Sequence, residues 1–140
     1  LQALEDLGID EALAAQIGIR LFKVGMSWPL EPVMTHKFAE GLDEILVIEE
    51  KRSVIEDQLT GQLYNWPVDK RPRVVGEYDE QRKLLLTNLG ELTAAMIARV
   101  IAARIARFYD SEAVHQRLEF LELLIRQRRT DAVRDVEAPQ

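Results

Sequence analysis

The residues best placed for chemistry are four consecutive charged ones, Glu49-Glu50-Lys51-Arg52, which directly follow the apolar run 45–48. Ligands of open α/β sheets gather beyond the carboxyl ends of strands, so paired carboxylates there could transfer protons or orient a neighbouring domain's cofactor. Acidic residues near a helix N-terminus are also stabilised by its dipole, and Lys51 and Arg52 would partner them in solvent. We favour this structural interpretation.

A second candidate is the loop Gly25-Met26-Ser27-Trp28, which also follows an apolar run and leads into a predicted helix. Backbone N–H groups at a helix start can bind an anion. The loop has neither the dinucleotide-binding fingerprint nor the lysine spacing of a P-loop. Trp28 is as readily a packing residue as a ligand contact, and we do not favour ligand binding at this loop. The same caution applies to Trp66 beside Pro67.

The chain has two histidines, His36 and His115, and neither has a second ligand-type residue at metal spacing. We predict that both are surface residues. With so few candidates, the order of residues gives no basis for a Ser-His-Asp arrangement. We assign no catalytic, cofactor-binding or metal-binding residue.

Composition excludes several kinds of function. The 140 residues are 47% hydrophobic, enough for one domain with an appendage, and contain no cysteine, which removes disulfides, thiolate metal sites and cysteine-ligated clusters. A net charge of −6 argues against a nucleic acid partner, and no apolar stretch approaches the ~20 residues of a membrane span. The basic group Arg126, Arg128 and Arg129 is explained as a solvated helix end.

Strand and helix patterns alternate through the first two thirds of the chain. Short helices precede Gly8 and follow Asp10, and a third begins at Pro29 or Pro32. We predict strands over residues 17–24, 44–49 and 73–76. This alternation favours right-handed crossovers and a mostly parallel sheet.

The helix after the second strand has its own start signal. Ser53-Val54-Ile55-Glu56 fits a capping box, in which the serine hydroxyl and the glutamate carboxylate each accept a backbone N–H. We predict a helix from there to about Tyr64.

From Thr93 the pattern becomes helical, with helices over about 94–108 and 112–129. The second helix has more apolar surface than one neighbour can cover, so it is either sandwiched in the domain or meets another domain. Its main stripe is Val114, Leu118, Leu121 and Ile125. Its additional apolar residues are Phe120, Leu123 and Leu124.

These patterns predict an α/β domain over residues 1–92, a helical annex over 93–130 and a connector over 131–140. The chain starts at Leu1, without a signal-peptide pattern, and enters in mid-helix. We expect it to be a piece cut from a longer protein.

Several stretches together resemble the second domain of indolepyruvate ferredoxin oxidoreductases, over most of the chain from Leu1 to about Ala106. They are KVGMSWPLEP (23–32), EILVIEEKR (44–52), IEDQL (55–59), RPRVVG (71–76), and GELT (90–93) leading into IAR (97–99). The last helices resemble the lead-in to the family's cofactor-diphosphate domain.

The resemblance implies a small three-layer, transketolase C-terminal-like domain whose first strand is missing here. It implies a thiamine-diphosphate enzyme with magnesium and iron–sulfur clusters, which oxidises indolepyruvate and passes electrons to ferredoxin and the acyl group to coenzyme A. The chain lacks the family's GDG motif and cluster cysteines. We therefore expect an architectural role in a cytoplasmic enzyme, with no cofactor in this segment.

The expected partners are other domains of the same enzyme and further copies of the chain, and not nucleic acid or a membrane. Two alternatives stay open. One is a stand-alone module that binds coenzyme A or another small anion at Gly25–Trp28 and Glu49-Glu50. The other is a helical interaction protein that acts through Phe120, Leu123 and Leu124.

Overall fold

The structure is a computed structural model that describes residues 1–87 and 90–137. The chain forms two compact units, a helical unit of Leu1–Arg20 with the chain from Thr93 onward, and an α/β unit of Leu21–Leu92. The elements, in chain order, are α1 (Gln2–Asp6), α2 (Glu11–Ile17), α3 (Pro32–Ala39), β1 (Glu44–Leu46), α4 (Val54–Leu63), β2 (Arg73–Val75), α5 (Ala94–Ile105) and α6 (Glu112–Glu137).

The helical unit is built around α5, whose buried side is lined by small residues. Ala98 and Ala102 are spaced one turn apart and are almost fully buried. Their size lets α1 approach closely, so that Leu4 and Leu7 complete the core. Leu7 is 1% exposed, and burial of such a side chain contributes roughly 1.5–3 kcal/mol.

Side chains at the helix starts satisfy N–H groups that the helices leave without a partner. Asp10 Oδ1 accepts from Leu13 N at 2.8 Å at the start of α2, and Thr93 Oγ1 accepts from Met96 N at 3.2 Å at the start of α5. Each such cap contributes about 1 kcal/mol.

Residues 1–20, which the sequence patterns placed in the α/β domain, have their core contacts with the helices that follow Thr93. Their apolar face, formed by Leu4, Leu7 and Ile9, is already covered by α5 and α6. The predicted connector is helical as far as Glu137, because α6 continues without a break, and residues 138–140 lie outside the described residues.

The α/β unit contains a two-stranded parallel sheet. Glu44 pairs with Arg73, Ile45 with Val74 and Leu46 with Val75. Leu59 and Leu63 of α4 cover the sheet with Ala39 of α3, and all three are buried. The α/β class with a helical C-terminal part is therefore confirmed.

The predicted strand over residues 17–24 is wrong. Residue Ile17 ends α2, Gly18 closes it in the left-handed conformation at φ 84°, and no strand follows before α3. An apolar run becomes a strand only beside a sheet edge that it can pair with. Instead, the Phe22 ring stacks on the Phe38 ring with centroids 5.0 Å apart.

The strand predicted over residues 44–49 is shorter than expected and stops at Leu46, although Val47 N still donates to Val75 O at 2.8 Å. Among the described residues, no helix combines the length and the apolar character that a membrane span requires.

Candidate functional site

The carboxyl ends of β1 and β2 meet at one edge of the sheet because the strands are parallel. Glu49 follows β1 at this edge and turns its carboxylate onto the start of α4. Its Oε1 accepts from Ile55 N at 2.9 Å, and its Oε2 accepts from Glu56 N at 2.9 Å. Glu49 is thus a helix cap, the role that the structural interpretation of this residue predicted.

The capping box predicted at Ser53 does not form. Ser53 occupies the N-cap position, but its hydroxyl makes no cap hydrogen bond and donates instead to Glu77 Oε2 at 3.3 Å. The backbone turns sharply at Lys51, whose φ of 72° is left-handed, and this turn brings the Glu49 carboxylate over the helix. Glu49 therefore accepts the kind of cap hydrogen bond that was predicted for the serine hydroxyl.

Glu56 also differs from its predicted role. Its Oε2 accepts from Glu77 N at 3.1 Å, which ties α4 to the residue that follows β2 by two positions. The carboxylate lies directly over the Cα of Gly76, where a Cβ atom would overlap it. Burial raises the pKa of Glu56 above its usual value, and the charges of Glu49, Asp57 and Glu77 act in the same direction, against the hydrogen bond from Glu77 N.

These carboxylates enclose a cavity of about 10 Å³, which is lined by Glu49, Ser53, Glu56 and Glu77 together with Val47, Arg52, Leu86 and Thr87. A volume of this size holds about one water molecule. It is far too small for thiamine diphosphate, coenzyme A or an aryl 2-oxoacid. Within residues 1–87 and 90–137, no group of three or more His, Cys, Asp or Glu side chains could hold a metal ion.

The second candidate, the loop Gly25–Trp28, is held by α4. Gln58 Nε2 donates to Ser27 O at 2.6 Å, and Gln58 Oε1 accepts from Leu30 N at 2.7 Å. Gln62 Nε2 donates to Leu30 O at 2.9 Å. The two glutamines are one helical turn apart, so they form a single polar edge that anchors the chain before α3.

The helix start that follows this loop is occupied by the protein itself. Glu31 Oε1 accepts from Val33 N at 2.9 Å and Glu31 Oε2 accepts from Met34 N at 2.7 Å. These are the N–H groups that the anion-binding interpretation required. The sequence signal for this cap is a carboxylate directly before Pro32, the first residue of α3. We did not predict the cap from that signal.

The two histidines and Trp28 differ in how far they are exposed to solvent. His36 is half-buried, contrary to prediction, because its ring packs edge-on against Trp66 with centroids 5.5 Å apart. Trp28 is 69% exposed, so it does not pack into the domain. His115 is exposed, as predicted, with its Nδ1 3.8 Å from Asp110 Oδ1.

The basic group of three arginines also has a different position from the predicted one. Arg126, Arg128 and Arg129 are exposed but lie in the middle of α6, because that helix continues for two more turns.

Comparison with known proteins identifies the family. The model of the indolepyruvate ferredoxin oxidoreductase middle domain matches residues 1–134, and no curated protein or solved structure matches the chain. The match spans both compact units and nearly all of the described chain. The stretches that carry the resemblance, among them residues 23–32, 44–52 and 71–76, lie within it. The chain belongs to the indolepyruvate ferredoxin oxidoreductase middle-domain family.

Proposed function

We propose that this chain is the architectural segment of an enzyme that oxidatively decarboxylates indolepyruvate, and that it positions the neighbouring domains without taking part in bond breaking. In the complete enzyme, thiamine diphosphate with magnesium supplies the carbanion chemistry, iron–sulfur clusters carry electrons to ferredoxin, and coenzyme A accepts the acyl group. The enzyme is cytoplasmic and includes further copies of the chain.

The residues present do not fit these cofactors. The chain contains no cysteine for a cluster, and the cavity at the sheet edge is too small for a diphosphate cofactor. We therefore place the cofactors and the reacting atoms outside this segment.

The observation that carries the proposal is the use of carboxylates at the sheet edge. Glu49 and Glu56 both accept hydrogen bonds from backbone N–H groups, and these bonds join β1, α4 and the chain after β2. A carboxylate that acts as a general base needs a reacting proton within hydrogen-bond reach. The cavity beside Glu49 and Glu56 has no room for a substrate that would supply one.

The test is Glu49→Ala in the complete enzyme. Loss of the α4 cap should lower stability by about 0.5–2 kcal/mol and reduce assembly, while turnover per cofactor-loaded molecule stays within about twofold. Thermal unfolding, cofactor content and turnover should be measured together. Glu50→Ala is the matched control, because Glu50 is exposed and adjacent.

The alternative of a coenzyme A or small-anion module has less support, because Glu31 and Glu49 already occupy the starts of α3 and α4. Thermal unfolding of this chain with coenzyme A separates the two proposals. A binding module would gain about 2.7 kcal/mol at a hundredfold excess over Kd. We expect no shift, and a clear shift would favour the module.

A further inference from the structure

The last helix has an apolar surface that its own core leaves uncovered. Phe120 and Leu123 of α6 are 55% and 56% exposed, and Leu124 beside them is half-buried. These three residues, the outer surface of α6, lie roughly opposite Leu118, which packs into the core of the helical unit. Uncovered apolar area of this kind marks an interaction site when its surroundings specify a partner.

One edge of the outer surface has charged residues in a seven-residue repeat. Glu112, Glu119 and Arg126 are exposed and follow each other at this spacing, which aligns them along one side of the helix. The edge is therefore acidic before Leu123 and basic after it. A helix with this distribution is complementary to a copy of itself that runs in the opposite direction.

We propose that the outer surface of α6 binds the same surface of a second copy of this chain, with the two helices antiparallel. Phe120 of each copy then packs on Leu123 of the other. Glu119 of each copy faces Arg126 of the other, because both residues lie between the Phe120–Leu123 layer and the neighbouring layer, which pairs Gln116 with Gln127. Two-fold symmetry makes every one of these contacts twice.

A parallel pair of helices would use the same surface less well. It would set Glu119 of one copy beside Leu124 of the other. In the parallel arrangement, Glu112 of one copy would have to pair with Arg117 of the other. The Nε of Arg117 already lies close to Gly8 in its own unit. The parallel helix dipoles would also repel each other.

The first experiment is sedimentation equilibrium of the whole chain over about two decades of concentration, since a single helix face is expected to give weak association. Phe120→Glu should raise the dissociation constant of the dimer by at least about tenfold. Phe108→Glu is the matched control, because Phe108 is 64% exposed in the same unit but is not part of α6. Circular dichroism should show that both variants keep their helix content.

The second experiment tests the direction of the helices by charge reversal. Glu119→Arg and Arg126→Glu should each weaken the dimer, because each places two like charges opposite one another. The double variant E119R/R126E should recover the dissociation constant of the parent chain to within about threefold. Leu123→Glu gives an independent loss of the apolar contact.

A chain that stays monomeric at every concentration would overturn the proposal, and so would a dimer that Phe120→Glu does not weaken. Failure of the double variant to recover association would overturn the antiparallel arrangement. If the isolated chain is monomeric but Phe120 is shielded from solvent in the complete enzyme, the surface binds another domain of that enzyme instead. None of these results bears on whether the chain takes part in the reaction, so they leave the proposed function to its own test.

Discussion

At the scale of single residues, the Glu56 carboxylate approaches the backbone of Gly76 closely. Gly76 is buried, and the Glu56 carboxylate fills the space that a side chain would need. The glycine is required by this neighbour and not by a left-handed backbone.

We predict that Gly76→Ala destabilises the chain by about 1–3 kcal/mol, because the new methyl group must displace a carboxylate that Glu77 N holds in place. Chemical denaturation measures the change. Gly61→Ala is the control: it has nothing within 4 Å, lies inside α4, and should stabilise by about 0.5–1 kcal/mol. Equal effects of the two substitutions would disprove the predicted contact.

The raised pKa of Glu56 predicts that the stability of the folded chain depends on pH. Its pKa is raised in the folded chain, mainly by burial, so the folded state binds its proton more tightly than the unfolded state does. The favourable contribution of the protonated form is complete below the unfolded-state pKa and is lost as pH rises through the folded-state pKa.

Glu56→Gln should therefore be more stable than the parent chain at neutral pH, by less than about 1 kcal/mol after solvent screening. The difference should shrink as pH falls towards the usual glutamate range. Unfolding titrations at several pH values measure it, with Glu50→Gln as control. A constant difference at all pH values would refute this origin.

At the scale of elements, the sequence patterns located seven of the eight helices and strands within about three residues, all except α6, which continues well beyond its predicted end. The positions of Pro32 and Thr93 indicate helix starts through local chemistry, so a linear pattern suffices. The role of Glu49 near the start of α4 was predictable, but its hydrogen bonds to Ile55 N and Glu56 N were not. Only the turn at Lys51 brings the carboxylate to N–H groups that lie six and seven residues further along the chain.

The loop before α3 depends on a contact that no local pattern revealed. Gln58 joins Ser27 O and Leu30 N to α4, across about thirty residues of chain. We predict that Gln58→Leu costs about 1–3 kcal/mol and speeds hydrogen exchange at the Leu30 amide, which loses its acceptor. Thr60→Val, on the exposed side of α4, is the control. Unchanged exchange at Leu30 would contradict the contact.

At the scale of the whole molecule, the α/β class was predictable because the alternation of strand and helix is a property of the sequence itself. The packing of residues 1–20 against the helices that follow Thr93 was not predictable. Leu4 and Leu7 meet Ala98 and Ala102 across about ninety residues of sequence, and only the folded core specifies that pairing. The apolar residues that α6 exposes were predictable from its two stripes, because both follow from helical periodicity.

We propose that, within a larger enzyme, the carboxylates of this chain hold its fold and take no part in the reaction. General acid–base catalysis by a side chain contributes about 10²–10⁴-fold to the rate, so its removal is easily detected.

The most direct test is therefore the triple variant Glu49→Gln, Glu56→Gln and Glu77→Gln in the complete enzyme, with turnover measured per cofactor-loaded molecule. The amide side chains keep an acceptor oxygen for the backbone N–H groups, but they cannot act as a general acid or base. We predict turnover within about threefold of the parent enzyme, together with altered thermal stability. A loss of about a hundredfold or more, with folding and cofactor content intact, would contradict the account.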